Sequence, residues 1–144
     1  MSRRRLIVAA MKTILEADSS IKYVTRKLLR LRDLRDDQIP AVSLLGGFEN
    51  DPEGESTAEE KQGIWDFHLL LYVKDLTSGD PAGALDDLLA LIARLFAANP
   101  TLNGTCDDIE LVSRDSDRGI FDPFASSDMI FRISYFFNRI TEGG

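Results

Sequence analysis

Residues 64–74 alternate. Trp65, Phe67, Leu69, Leu71 and Val73 fall on one side of an extended chain, with Ile64, Asp66, His68, Leu70 and Tyr72 on the other. A row of large apolar side chains at a period of two marks a strand with one face against a core. One strand cannot bury such a row alone. It needs neighbours in a sheet and a layer of structure over the apolar face. Met129–Asn138 supplies a second row, with Met129, Phe131, Ile133, Tyr135 and Phe137 on one side. Shorter strands are expected at Ile21–Lys27, at Ile39–Leu45 and at Ile109–Ser113. Pro40 opens the second of these, where a proline costs least, and Gly46-Gly47 ends it. At Leu28–Leu34 a short helical turn and an irregular connection both fit.

Two helices can form the covering layer. Residues 3–17 carry Ile7, Ala10, Met11, Ile14 and Leu15 at three- and four-residue spacing, with Ser2 placed to cap them. Asp80 followed by Pro81 opens a second helix, a favoured pairing. Its stripe is Leu85, Leu88, Leu89, Ile92, Leu95 and Phe96, and Asn99-Pro100 stops it. Two stretches have no apolar period and read as loops. One is acidic and mobile, at about 48–62; the other is polar, at 114–128. The expected fold is α+β: a mostly antiparallel sheet of four to five strands with two helices packed on one face. At 144 residues it forms a single domain, 1–144.

Charge is divided by position. Residues 1–32 hold nine Lys/Arg against Glu16 and Asp18, a balance of +7, while the remainder carries −14. The net −7 argues against general binding to nucleic acid or anionic membrane, though not against a local basic patch. Arg3, Arg4 and Arg5 stand in the first turn of a helix, where the macrodipole disfavours cations by roughly 0.3–1 kcal/mol each. Lys22, Arg26, Lys27, Arg30 and Arg32 extend that patch. A basic head and an acidic body complement one another when copies meet head to tail, and such contacts close into rings or run on as filaments.

The residues for catalysis or cofactor binding do not assemble into a motif. His68 is the one histidine and lies mid-strand, with no nucleophile elbow in the sequence. Asp115-Ser116-Asp117-Arg118-Gly119 lacks the third ligand and the closing Glu of a calcium loop. Asp107, Asp108 and Glu110 are dense enough for Mg²⁺ but have no lysine or histidine placed beside them. Gly46-Gly47 precedes an acidic stretch, not the helix of a phosphate cradle. Cys106 is the only cysteine, so it has no disulfide partner within the chain; a reducing, intracellular folding environment fits best. Neighbouring acids should raise its pKa and leave it unreactive. The basic start resembles a signal peptide only briefly, because Lys12 and Glu16 interrupt the apolar run. No segment reaches the roughly 20 apolar residues of a membrane span.

The order of elements resembles the tail terminator (tail completion, head-tail joining) proteins of long-tailed bacteriophages. The features are Lys22-Tyr23-Val24-Thr25-Arg26 after the first helix, then Ile39-Pro40-Ala41-Val42, then Trp65–Val73 followed by Lys74-Asp75. Asn99-Pro100-Thr101-Leu102-Asn103-Gly104-Thr105 follows the second helix. Asp115–Gly119, a Pro123 loop and Phe131-Arg132-Ile133-Ser134-Tyr135-Phe136 close the chain. The family commonly has Leu-Gly-Gly where this chain has Leu102-Asn103-Gly104, a mild departure because Asn tolerates positive φ.

The resemblance implies a hexameric ring in the virion. The ring caps the head-proximal end of the tail tube, stops tube polymerisation and docks the tail to the neck or head connector protein. It implies no enzyme activity, no cofactor and no membrane. DNA would pass through the ring without specific binding, and an acidic lumen would repel its phosphates. Arg26, Lys27, Arg30 and Arg32 are the expected subunit interface. Glu49, Asp51, Glu53, Glu55, Glu59 and Glu60 are the expected tube-facing or inter-subunit contact, from a segment that orders against a partner. The alternatives are a head-closure or neck adaptor protein and, in another class, a small nucleic-acid-binding regulator using the basic N-terminal region.

Overall fold

A computed structural model of the chain describes residues 2–27, 34–46, 49–50, 60–75, 79–121 and 124–138. Helix α1 spans Arg3–Glu16. Ser2 is extended, and its Oγ accepts from the Arg5 N–H at 3.4 Å. Ile7, Val8, Ala10, Met11, Ile14 and Leu15 are its buried side. Helix α2 spans Pro81–Ala97; the Asp80 carboxylate accepts from the Gly83 N–H at 3.0 Å. It buries Leu85, Leu88, Leu89, Ile92 and Phe96.

The strands are β1 (Tyr23–Thr25), β2 (Ala41–Gly46), β3 (Glu49–Asn50), β4 (Glu60–Lys74), β5 (Asp108–Phe121) and β6 (Phe124–Asn138). Their order across the sheet is β1-β2-β4-β6-β5, with β3 paired to β4 beyond the end of β2. Only β1 and β2 are parallel; every other pairing is antiparallel. The fold is α+β, as the sequence pattern implies. All 15 residues of β4 pair with β6, from Glu60 opposite Asn138 to Lys74 opposite Phe124. The odd-numbered apolar rows of these strands meet both helices in one core. Phe96 of α2 packs edge-on against Phe131 of β6, with ring centroids 5.0 Å apart.

Two expected loops are partly strand. The acidic stretch at 48–62 is trimmed at both ends: Glu49 and Asn50 form β3, and Glu60–Gln62 open β4. Main-chain pairing is the reason: β6 runs on to Asn138 and partners Glu60–Gln62, and β4 partners Glu49 and Asn50. The polar stretch at 114–128 is strand on both sides of 122–123, with Phe121 paired to Phe124. Register slips between Leu111 and Ser113, and again between Asp115 and Gly119, break the alternation that would have revealed it. Leu28–Asp33 lie outside the described residues.

After α2 the chain turns through Leu102, Asn103 and Gly104, all left-handed, at φ +47°, +59° and +81°. Asn103 fits that conformation, as expected. Leu102 fits it poorly; its side chain is fully buried, so packing holds what the backbone disfavours.

Candidate functional site

The fold brings three arginines of the basic head together. Arg4 and Arg5 from the first turn of α1, and Arg26 just after β1, line one open cleft of about 260 Å³ with Ser2, Val8 and Trp65. Trp65 belongs to the buried row of β4 and is 6% exposed. The Arg4 guanidinium lies over it, 5.9 Å from the ring centroid. Arg4, Arg5, Arg26 and Lys27 are exposed. The main chain of Lys27 is tied back at two points. Its N–H donates to Thr25 Oγ1 at 3.2 Å, and its carbonyl accepts from Ser43 Oγ of β2. The backbone is therefore fixed at Lys27, whose side chain is exposed. A second groove beside it is lined by Lys12, Glu16, Ile21, Lys22, Tyr23 and Val24.

Of the expected interface residues, Arg26 and Lys27 are exposed just after β1. Arg30 and Arg32 lie outside the described residues, as do Asp51, Glu53, Glu55 and Glu59. Glu49 and Glu60 are placed by their backbones in β3 and β4.

In the sequence Asp107, Asp108 and Glu110 read as possible metal ligands, and the first two as neighbours that raise the Cys106 pKa. The structure puts them, exposed, at the start of β5, the strand at the far end of the sheet from β1. The Asp107 N–H donates to the Ser134 carbonyl at 2.8 Å, which fixes the entry to β5. Leu111 and Val112 follow, 37% and 45% exposed. The slip between Leu111 and Ser113 leaves Val112 without a partner residue in the ladder. The broken alternation Ile109-Glu110-Leu111-Val112 was the signal for this rim. Among the described residues no group of three or more His, Cys, Asp or Glu is positioned to hold a metal ion.

The sheet face away from the helices is charged and paired. Arg132 donates to Asp66 from Nε and Nη2, at 2.9 and 3.2 Å. That hydrogen bond holds the Asp66 carboxyl below its ordinary pKa. His68 Nδ1 lies 3.3 Å from Asp128 Oδ2. Lys74 Nζ donates to Asp36 at 2.5 Å and sits over the Phe124 ring. Cys106 is buried, and its thiol is pushed up to about 12, first by burial and then by Asp107 and Asp108. The expected acidic neighbours contribute, but desolvation dominates. Among the described residues no helix is long and apolar enough to cross a membrane.

No protein-family model matches this chain, and no curated protein matches it. It is similar to a chain of a solved structure, the virion of a native gene transfer agent particle, at 14% identity and a TM-score of 0.48. The match covers 90% of this chain and 93% of that one.

Proposed function

We propose that this chain is a structural protein of a phage-like virion and acts as a tail terminator. Copies associate head to tail in a ring, probing the end of the tail tube with one rim and the neck protein with the other. The ring stops tube growth by covering the surface on which the next tube ring would assemble. This function needs no catalysis, cofactor or membrane. One observation carries the reading: exposed cations from α1 and from the end of β1 converge on one surface, while Asp107, Asp108 and Glu110 stand exposed on the opposite sheet edge. That polarity suits heterologous contacts between identical copies. The order of sequence motifs resembling tail terminators supplies the tail-end role.

The basic surface is poorly suited to reading single-stranded nucleic acid. Of its aromatic residues, Trp65 is buried under Arg4 and offers no stacking face, and Tyr23 alone, half-buried, makes no stacking platform. Light scattering behind size-exclusion chromatography tests the reading, with the chain alone and with tail-tube protein. A ring-sized species is expected in at least the second case. A monomer that binds neither tube nor neck protein overturns it. Particles lacking the protein should carry overlong tails. Normal tails on heads that leak DNA would instead indicate a head-closure protein.

A further inference from the structure

The two ends of the sheet are different surfaces. Among the described residues β5 pairs only with β6, and β1 only with β2, so each leaves one edge open. An open edge is a template for another strand. Around β5 the exposed side chains open with Asp107, Asp108 and Glu110, and Arg114 comes later. Glu110 faces Arg132 across the ladder, whereas Asp108 faces Ser134 and Asp107 precedes the ladder, so these two are the exposed acids with no cation opposite them. Around β1 the exposed side chains are Lys22 before it and Arg26 and Lys27 after it. Glu16 shares the adjoining groove with Lys12 and Lys22, so that groove keeps a positive balance. Two β5 edges would repel one another. A β5 edge and a β1 edge attract.

We infer that the β5 edge of one copy pairs with the β1 edge of the next, and that this is the contact from which the ring is built. The contact presupposes the ring proposed above and names its interface. β1 and β2 are parallel and the following pairings are antiparallel, so β5 runs opposite to β1. Copies related by rotation about an axis to which the strands are tilted, but not perpendicular, keep those directions in the main, and their facing edges are antiparallel. In that sense, with the helix faces of both copies on one side, Thr25 comes opposite Asp108 and Arg26 opposite Asp107, with Lys27 next along the strand. Buried Val24 then comes opposite buried Ile109 on the helix side, and half-buried Tyr23 opposite Glu110 on the open face. The main chain of β1 then completes a ladder of three residues. Charge, sheet face and strand direction fit that one register.

The two stretches are not level within one copy. Read across the ladder, Thr25 is level with Asp115. Pairing with Asp108 therefore steps each copy along the strands by roughly 20 Å. A closed ring absorbs such a step only by tilting the strands against its axis.

Two charge-reversed full-length chains test the contact. Asp107→Lys/Asp108→Lys has two basic edges; Arg26→Glu/Lys27→Glu has two acidic ones. Each is measured by light scattering with tube protein present. Each alone should need at least about tenfold more protein to assemble than the wild type. An equimolar mixture should recover assembly, because the edges are again complementary. Either variant assembling like the wild type overturns the contact and leaves the ring standing. A wild type that stays monomeric even with tube protein overturns both. Should a variant misfold by circular dichroism, zero-length carbodiimide cross-linking of mixed ¹⁴N and ¹⁵N wild-type assemblies decides. Amide links between Lys27 and Asp107 or Asp108 of different copies are expected. Their absence from an assembled ring overturns the contact.

Discussion

β4 and β6 divide their residues between two faces of one sheet, and the faces are made of different material. Toward the helices lie Phe67, Leu69, Leu71, Met129, Phe131, Ile133 and Tyr135, none more than 2% exposed. On the other face the same strands present Asp66, His68, Asp128 and Arg132 among Ile64, Leu70 and Ile130, all half-buried. The first face holds the fold by exclusion of water, at about 1.5–3 kcal/mol for each large side chain. The second is held by pairs, Asp66 with Arg132 and His68 beside Asp128, which contribute less in contact with solvent. Stability and surface chemistry are thus separated by a single residue step along each strand.

The sharpest way to break this contrast is a matched pair of truncations. Phe67→Ala empties a site with no exposure, in edge contact with Trp65 at 4.8 Å. It should cost about 3–5 kcal/mol. Ile130→Ala, on the open face and half-buried, should cost less than about 2 kcal/mol. Urea midpoints at constant slope measure both. Equal losses would mean the open face carries as much of the core as the covered one.

A second substitution probes how tightly the covered face is built. A Cβ at Gly63 would stand 2.5 Å from Cζ of Tyr135, its partner across the ladder, and Tyr135 is fully buried. Gly63→Ala should therefore cost about 1–3 kcal/mol through overpacking. Paired with Tyr135→Ala, the two losses should fall short of their sum, because the truncation removes the clash. Strict additivity would show that the ring moves aside without strain.

The parts legible in the sequence were those whose signal is local and repeated. The period of two in Trp65–Val73, the stripe of α2 and the caps Ser2 and Asp80 each specify a structure within a few residues. What stayed hidden depended on partners far away in sequence. Glu60–Gln62 has no apolar alternation and is strand only because β6 reaches it. The outer half of β5 has its period broken by two register slips. The acids at 107–110 read in the sequence as a cluster dense enough for Mg²⁺ without a lysine or histidine beside it, since nothing local says that β5 is an edge. The basic head was visible as charge, but its convergence with Trp65 needed the path of α1 over β4. Sheet order is a long-range property, and edges are where this molecule exposes its poles.

The smallest expected effect tests the open face itself. Asp66 is held below its ordinary pKa of 3.8, chiefly by the hydrogen bond from Arg132. A carboxylate whose folded pKa is lowered stabilises the fold above its unfolded pKa, and that contribution is lost as pH falls through the folded value. Asp66→Asn should thus be slightly less stable than the wild type at neutral pH, by less than either core substitution. The gap should hold steady down to about pH 5 and close below about pH 4, where the unfolded carboxyl and then the folded one take up protons. Thermal melts of both chains across that range measure it. A gap that persists at acid pH would show that Asp66 acts by shape and not by charge. The open face would then belong with the covered one, as packing that happens to be wet.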